Sequence, residues 1–219
     1  MFLLNVLNTT TNFKKWWDQF PSKLRKITIC RLFASIGAGG VLYLTPLVFD
    51  NLSFTGTEIG IGFCAASLAG TLTRLGTGVF LDRGTSFSIP LRLAALFAIT
   101  ADLLLLNAYT KSSYFLGELF LGAAAGFYWP SVELAIPMSC PKGSSNKGFA
   151  LARSADALGV CIGALIGSVS ATLGLIRTIY LVEILCMFIL LILLSKQKTI
   201  DDKKIDNKAK VNFKEKREN

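Results

Sequence analysis

Gly78, Asp82 and Arg83 close an apolar run in the stretch GTGVFLDRGTSFSIPLR, residues 76–92, and a new apolar run opens at Pro90. Glycine and aspartate four residues apart share one face of a helix. On that face the glycine admits a neighbouring helix, and the aspartate can meet a helix N-terminus or a basic side chain. The available chemistry is an ion pair that is made and broken at a wet boundary.

A second set of ionisable groups lies inside apolar segments: Arg74, Asp102, Glu118, Glu133, Arg153, Asp156 and Glu183. A charge at the centre of a bilayer costs at least about 2.5–3.5 kcal/mol on insertion scales, so each needs a partner or a task. Arg74 precedes Asp82 by two turns and shares its face with Gly78. Arg153 and Asp156 are spaced i, i+3 and can pair with each other. Glu118 and Glu183 read as interfacial or interhelical pairing groups. Arg74 and Glu133 read as coupling or charge-pair residues.

Composition removes other chemistries. There is no histidine, which excludes hydrolysis with a His base, His-ligated haem and most zinc sites. Cys30, Cys64, Cys140, Cys161 and Cys186 are scattered singly, with no CxxC pair, and read as buried inert thiols. No nucleophile–base set is present, so an enzyme is the weakest reading. No cofactor and no metal site are expected.

These residues need elements to hold them. Of the 219 residues, 52% are hydrophobic and 17% charged, against about a quarter charged in a soluble domain. Mean hydropathy is +0.53. Crossing the hydrocarbon core takes about 20 apolar residues, and six segments qualify: 27–49, 58–81, 89–108, 114–138, 148–173 and 179–194. The expected fold class is all-α, a polytopic membrane helix bundle of six spans. Residues 1–26 form an N-terminal segment, 27–194 the membrane domain and 195–219 a charged tail that should be disordered. In the first of these, Phe13, Trp16, Trp17 and Phe20 recur at helical spacing between lysines, the pattern of an interfacial helix or of an aromatic anchor.

The net charge of +9 would suit nucleic acid, but its placement does not. Lys14, Lys15, Lys23, Arg25, Lys26, Arg31, Arg83, Arg92, Lys142, Lys147, Arg153, Lys196 and Lys198 fall on one side of the membrane. The other side holds only Lys111 and Arg177. The positive-inside rule then puts both termini in the cytoplasm, with the chain in the plasma (inner) membrane. No nucleic-acid partner is expected.

With its location fixed, Gly78-x-x-x-Asp82-Arg83 resembles the G-x-x-x-D-R-x-G-R-K signature of the major facilitator superfamily. Gly84 comes one residue early, Ser86 and Phe87 replace the basic pair, and only Arg92 can stand in for it. In span five, Gly159-x-x-x-Gly163-Ala164-x-x-Gly167 is similar to that superfamily's antiporter motif. Ala164 replaces its proline and Ala150 its first glycine, which argues against a drug antiporter in particular. The glycines also suit plain helix packing. The order small cluster, tyrosine, proline occurs at Gly37–Pro46 and Gly122–Pro130, as two three-helix repeats would produce.

The resemblance covers half of a usual twelve-helix member. It implies that Asp82 and Arg83 latch a cytoplasmic gate, that Glu133 pairs with Arg83 or Arg92, and that Tyr43, Tyr128 and Trp129 line a central cavity. It implies alternating access on a small-molecule substrate, with or without a coupling proton or ion. A second six-helix half or a second copy would cover the cavity face, which would otherwise present polar groups to lipid. The rival reading is a non-transporting membrane subunit or a degenerate half-transporter.

Overall fold

The computed structural model describes residues 14–141 and 143–195. The expectations for residues 1–13, for Lys142 and for the tail beyond Ser195 lie outside the described residues. Six helices are long and apolar enough to cross a membrane: α1 Ser22–Asp50, α2 Gly56–Asp82, α3 Ser88–Leu106, α4 Lys111–Met138, α5 Ser145–Thr172 and α6 Thr178–Ser195. The protein is an all-α, multi-pass membrane bundle.

Most helices outrun the segments marked by hydropathy. Hydropathy registers only the part at hydrocarbon depth, whereas the helix continues into the headgroup layer. At about 1.5 Å per residue, the 29 residues of α1 reach about 43 Å, against about 30 Å of hydrocarbon. The chain enters α1 from Pro21, whose backbone is extended (φ −54°, ψ 142°). Just before it, residues 14–18 are helical. Trp17 and Phe20 pack against the bundle core, while Trp16 is exposed.

Call the end with the α2–α3 and α4–α5 turns the basic end, and the other the far end. At the far end, Thr55 with Glu58 and Thr110 with Ser113 form capping boxes that satisfy the first amides of α2 and α4. Lys111 pairs with Glu58 across those two starts. Arg177 donates to the carbonyls of Leu106 at 2.5 Å and Ala108 at 2.7 Å, and its guanidinium lies 4.3 Å from the Tyr109 ring centroid. It thereby occupies acceptors left free where α3 ends.

At the basic end, α2 stops at the motif that opened the sequence. Gly84 adopts φ +84°, its amide donates to the Leu81 carbonyl at 3.0 Å, and the Thr85 amide donates to Phe80 at 3.2 Å. This is a Schellman stop, which only a residue tolerant of the left-handed region makes cheaply. Gly84 is there to end the helix.

Among α1–α5 the tightest seams join α1 to α5 and α2 to α4, followed by α3 to α4. Glycines set the first two. A Cβ at Gly159 would lie 2.6 Å from the Leu32 carbonyl, and one at Gly70 2.9 Å from the Gly122 carbonyl. Backbones touch there, so no larger residue fits. α6 lies on α1, with Ile179 against Gly40 and Tyr180 bonded to Thr45 at 3.2 Å. α2 and α5 are the least buried helices. They turn rows of exposed leucine outward, Leu68, Leu72 and Leu75 on α2 and Leu158 and Leu165 on α5.

Candidate functional site

α1 and α4 scarcely touch. Between them lies a groove of about 200 Å³, with α3 and α6 beside it. Small residues open it: Ala34 and Ala38 on α1, Ala94 and Ala98 on α3, Ala124 and Ala125 on α4. Tyr128, Trp129, Met187 and Glu183 complete its wall with Val41, Leu42 and Leu121.

A charge network adjoins the groove at Trp129. Arg31 is fully buried, and its Nη2 donates to Asp156 Oδ2 at 3.0 Å. Ser35 Oγ donates to the other oxygen of Asp156 at 2.5 Å. The Arg31 guanidinium lies 5.0 Å from the Trp129 ring centroid and that of Arg153 lies 5.6 Å from it. Arg153 donates to Glu133 at 2.9 Å and approaches Asp156 at 3.8 Å. One aromatic ring and two ion pairs thus tie α1, α4 and α5 together.

Toward the far end three carboxyl groups are buried: Asp102 on α3, Glu118 on α4 and Glu183 on α6. Asp102 and Glu183 are in side-chain contact with each other. Glu118 accepts no hydrogen bond among the described residues. Gly37 makes room for Glu183, since a Cβ there would sit 2.9 Å from the Glu183 Cα.

The site residues expected from sequence separate into groups. Tyr128 and Trp129 line the groove, whereas Tyr43 is exposed and off its wall. Leu42 lines it instead, and the next residue points about 100° further round the helix. Arg153 and Asp156 do approach each other, but the closer bond of Asp156 is to Arg31. Glu133 meets Arg153 rather than Arg83 or Arg92. The reason is reach: Arg153 stands on the adjacent α5, while Arg92 donates its Nη2 to the Leu194 carbonyl at 2.9 Å and holds the end of α6.

Asp82, Arg83 and Arg74 are exposed and form no ion pair among the described residues, and Gly78 has open space where a side chain would be. The motif therefore faces away from its own bundle. Gly159, Gly163 and Gly167 lie in the seam between α5 and its neighbours α1 and α6. Cys30 and Cys186 are buried as expected, Cys140 is half-buried, but Cys64 and Cys161 are exposed, on the outward faces of α2 and α5. No cluster suited to a metal ion occurs among the described residues.

Sequence reasoning missed Arg31 and Ser35, because Arg31 was counted among the flanking basic residues. The available signal was Ser35 one turn further on, which gives one acidic side chain two partners on a single helix face. The Asp102–Glu183 contact left no signal, since nothing in either helix names its neighbour.

A comparison with curated proteins finds no match. The family model of the Major Facilitator Superfamily matches residues 27–217. That match takes in most of α1, all of the other five helices, the exposed Gly78–Arg83 motif and the groove. The chain is a membrane protein of the Major Facilitator Superfamily, a family of transporters.

Proposed function

We propose that this chain forms one six-helix half of an alternating-access transporter for a small solute. The groove between α1 and α4 is the observation that carries the reading. A bundle that packs glycine against backbone in two seams, yet leaves its two facing helices apart, keeps space for a ligand. Exchanging α1 with α4, α2 with α5 and α3 with α6 converts the α1–α5 seam into the α4–α2 seam, which supports two three-helix repeats. Both termini are then cytoplasmic, at the basic end of the bundle.

Gating falls to Gly78, Asp82 and Arg83. Their partners must come from outside this bundle, because none of the three is engaged within it. A second six-helix unit, either a second half or a second copy, supplies the partners and covers the leucine rows of α2 and α5. The Arg153–Glu133 pair is half-exposed and can open with the gate, whereas the Arg31–Asp156 pair, with Arg31 fully buried, stays closed.

Cysteine accessibility tests this reading. In a background without the native cysteines, Ala38→Cys on the groove wall is treated with an impermeant maleimide from each side. Alternating access gives reaction from both sides, and Asp82→Asn shifts it toward the basic end. Reaction from one side only, unchanged by Asp82→Asn, refutes gating and favours a non-transporting subunit.

A further inference from the structure

We infer that an anionic phospholipid of the leaflet at the basic end occupies a pocket between the N-terminal segment and α5, with its phosphate at Lys147 and its acyl chains along Phe20 and Ala150. The pocket encloses about 550 Å³ and is larger than the groove between α1 and α4. Trp16, Gln19 and Phe20 supply one wall, and α5 supplies another, from its N-cap Ser144 to Ser154. That second wall runs about 15 Å along the helix axis. The headgroup layer is only about 5–8 Å thick, so the pocket begins among headgroups and ends beside acyl chains. The leucine row of α5 starts at Leu158, one turn beyond Ser154. The pocket therefore lies on the basic side of the surface assigned to a second unit.

Charge complementarity selects the occupant. The polar side chains on the wall are Gln19, Ser144, Lys147 and Ser154, and no acidic residue lines it among the described residues. Lys147 is exposed and has no ion-pair partner among those residues. Lys14 and Lys15 directly precede Trp16, and the nearby Asp18 is held by Arg25. Basic residues at this level attract anionic lipid, and basic pockets between spans hold its headgroups. Ser144 adds to the attraction. Its Oγ donates to the Pro141 carbonyl at 2.8 Å and caps nothing on α5, which leaves the first amides of that helix for an anion. Trp16 is 43% exposed, an indole placed where such rings anchor at the membrane surface. Other occupants fit less well. A water-soluble anion leaves the apolar wall wet. A cation meets Lys147 and no counter-charge. A zwitterionic lipid fills the same space but brings a positive charge of its own.

This inference stands whether or not the chain transports, so its test is lipid binding. Native mass spectrometry of the full chain, released from micelles of a neutral detergent, counts bound lipids. Phosphatidylglycerol is the probe. Phosphatidylcholine with the same acyl chains and glycerophosphoglycerol, the headgroup without chains, are the comparisons. Phosphatidylglycerol should bind saturably and at least about fivefold tighter than phosphatidylcholine, and the headgroup alone should not displace it. Lys147→Gln should lose about fivefold in affinity. Lys26→Gln removes the same charge about 200° round α1 from the wall residue Leu24, and should change nothing. Ala150→Trp fills the apolar part of the pocket, leaves Lys147 in place and should abolish binding. Lys147 and Ala150 are both exposed, so neither variant disturbs the core. Equal affinity for the two lipids, displacement by the headgroup alone, equal effects of Lys147→Gln and Lys26→Gln, or unchanged binding in Ala150→Trp each overturn the proposal. A chain lacking residues 2–12 should bind as the full chain does. Binding found only after that deletion would give the pocket to the chain's own N-terminus and overturn the proposal too.

Discussion

Arg31 and Asp156 join α1 to α5 through a 3.0 Å bond, with the guanidinium over Trp129 of α4. Arg31 is fully buried and the Asp156 side chain is 19% exposed. Breaking such a pair strands a charge, whereas removing both ends does not. Arg31→Leu should cost about 3 kcal/mol, read as unfolding in mixed micelles. The double variant Arg31→Leu/Asp156→Leu should recover most of that loss. If the double variant is no better than the single, the bond is not what holds these helices.

The Arg153–Glu133 pair is the contrasting case. Both side chains are about half exposed, so the bond is worth at most about 1 kcal/mol. Glu133→Gln should leave unfolding nearly unchanged while shifting the accessibility of Ala38→Cys. A stability loss near that of Arg31→Leu would make the pair structural.

Glycine positions give a matched pair of tests. At Gly163 an added Cβ would overlap the Ile36 carbonyl, whereas at Gly78 it meets nothing within 4 Å. Gly163→Val should abolish the folded protein. Gly78→Ala should be neutral or more stable by up to about 1 kcal/mol, the gain from helix propensity. If a second unit packs at Gly78 as proposed, Gly78→Leu should fold and still impair gating, because the side chain obstructs that approach and meets nothing within the bundle. Normal gating in Gly78→Leu would show that no helix packs there.

Helix ends predict smaller effects. Gly84→Ala forces a Cβ into φ +84° and should cost about 1 kcal/mol. Arg177→Lys can no longer span two carbonyls and should cost about 1–2 kcal/mol. Unfolding midpoints check both; no shift in either would show that the ends fray freely.

Orientation has its own check. Ser86 and Ser112 are exposed, in the α2–α3 turn and at the start of α4. In a cysteine-free background, cysteines at the two positions should react with an impermeant reagent from opposite sides of the membrane. Reaction from the same side would overturn the six-span topology.

The spans were legible because hydropathy averages over many residues and needs no knowledge of neighbours. The Schellman stop at Gly84 was half legible: the motif drew notice to Asp82 and Arg83, while the glycine itself explained the end of the helix. Tyr128 and Trp129 fell on the groove through their place on α4, and Tyr43 missed it by one position. What stayed hidden depended on pairing between helices. Glu133 had several arginines within plausible reach, and only the contact of α4 with α5 selects Arg153. Arg31 looked like a topology signal because a flanking charge and a buried one read alike in a linear count.

The interleaving of seams has a consequence for synthesis. Arg31 and Asp156 are 125 residues apart. At about 5–20 residues per second, a ribosome takes about 6–25 s to deliver the second after the first. Over that interval α1 has no α5 to pack on, and its arginine has no carboxylate. Of the six helices, α1 is thus made before the other five and is among the last to be settled. Its buried arginine gains its carboxylate only when α5 arrives.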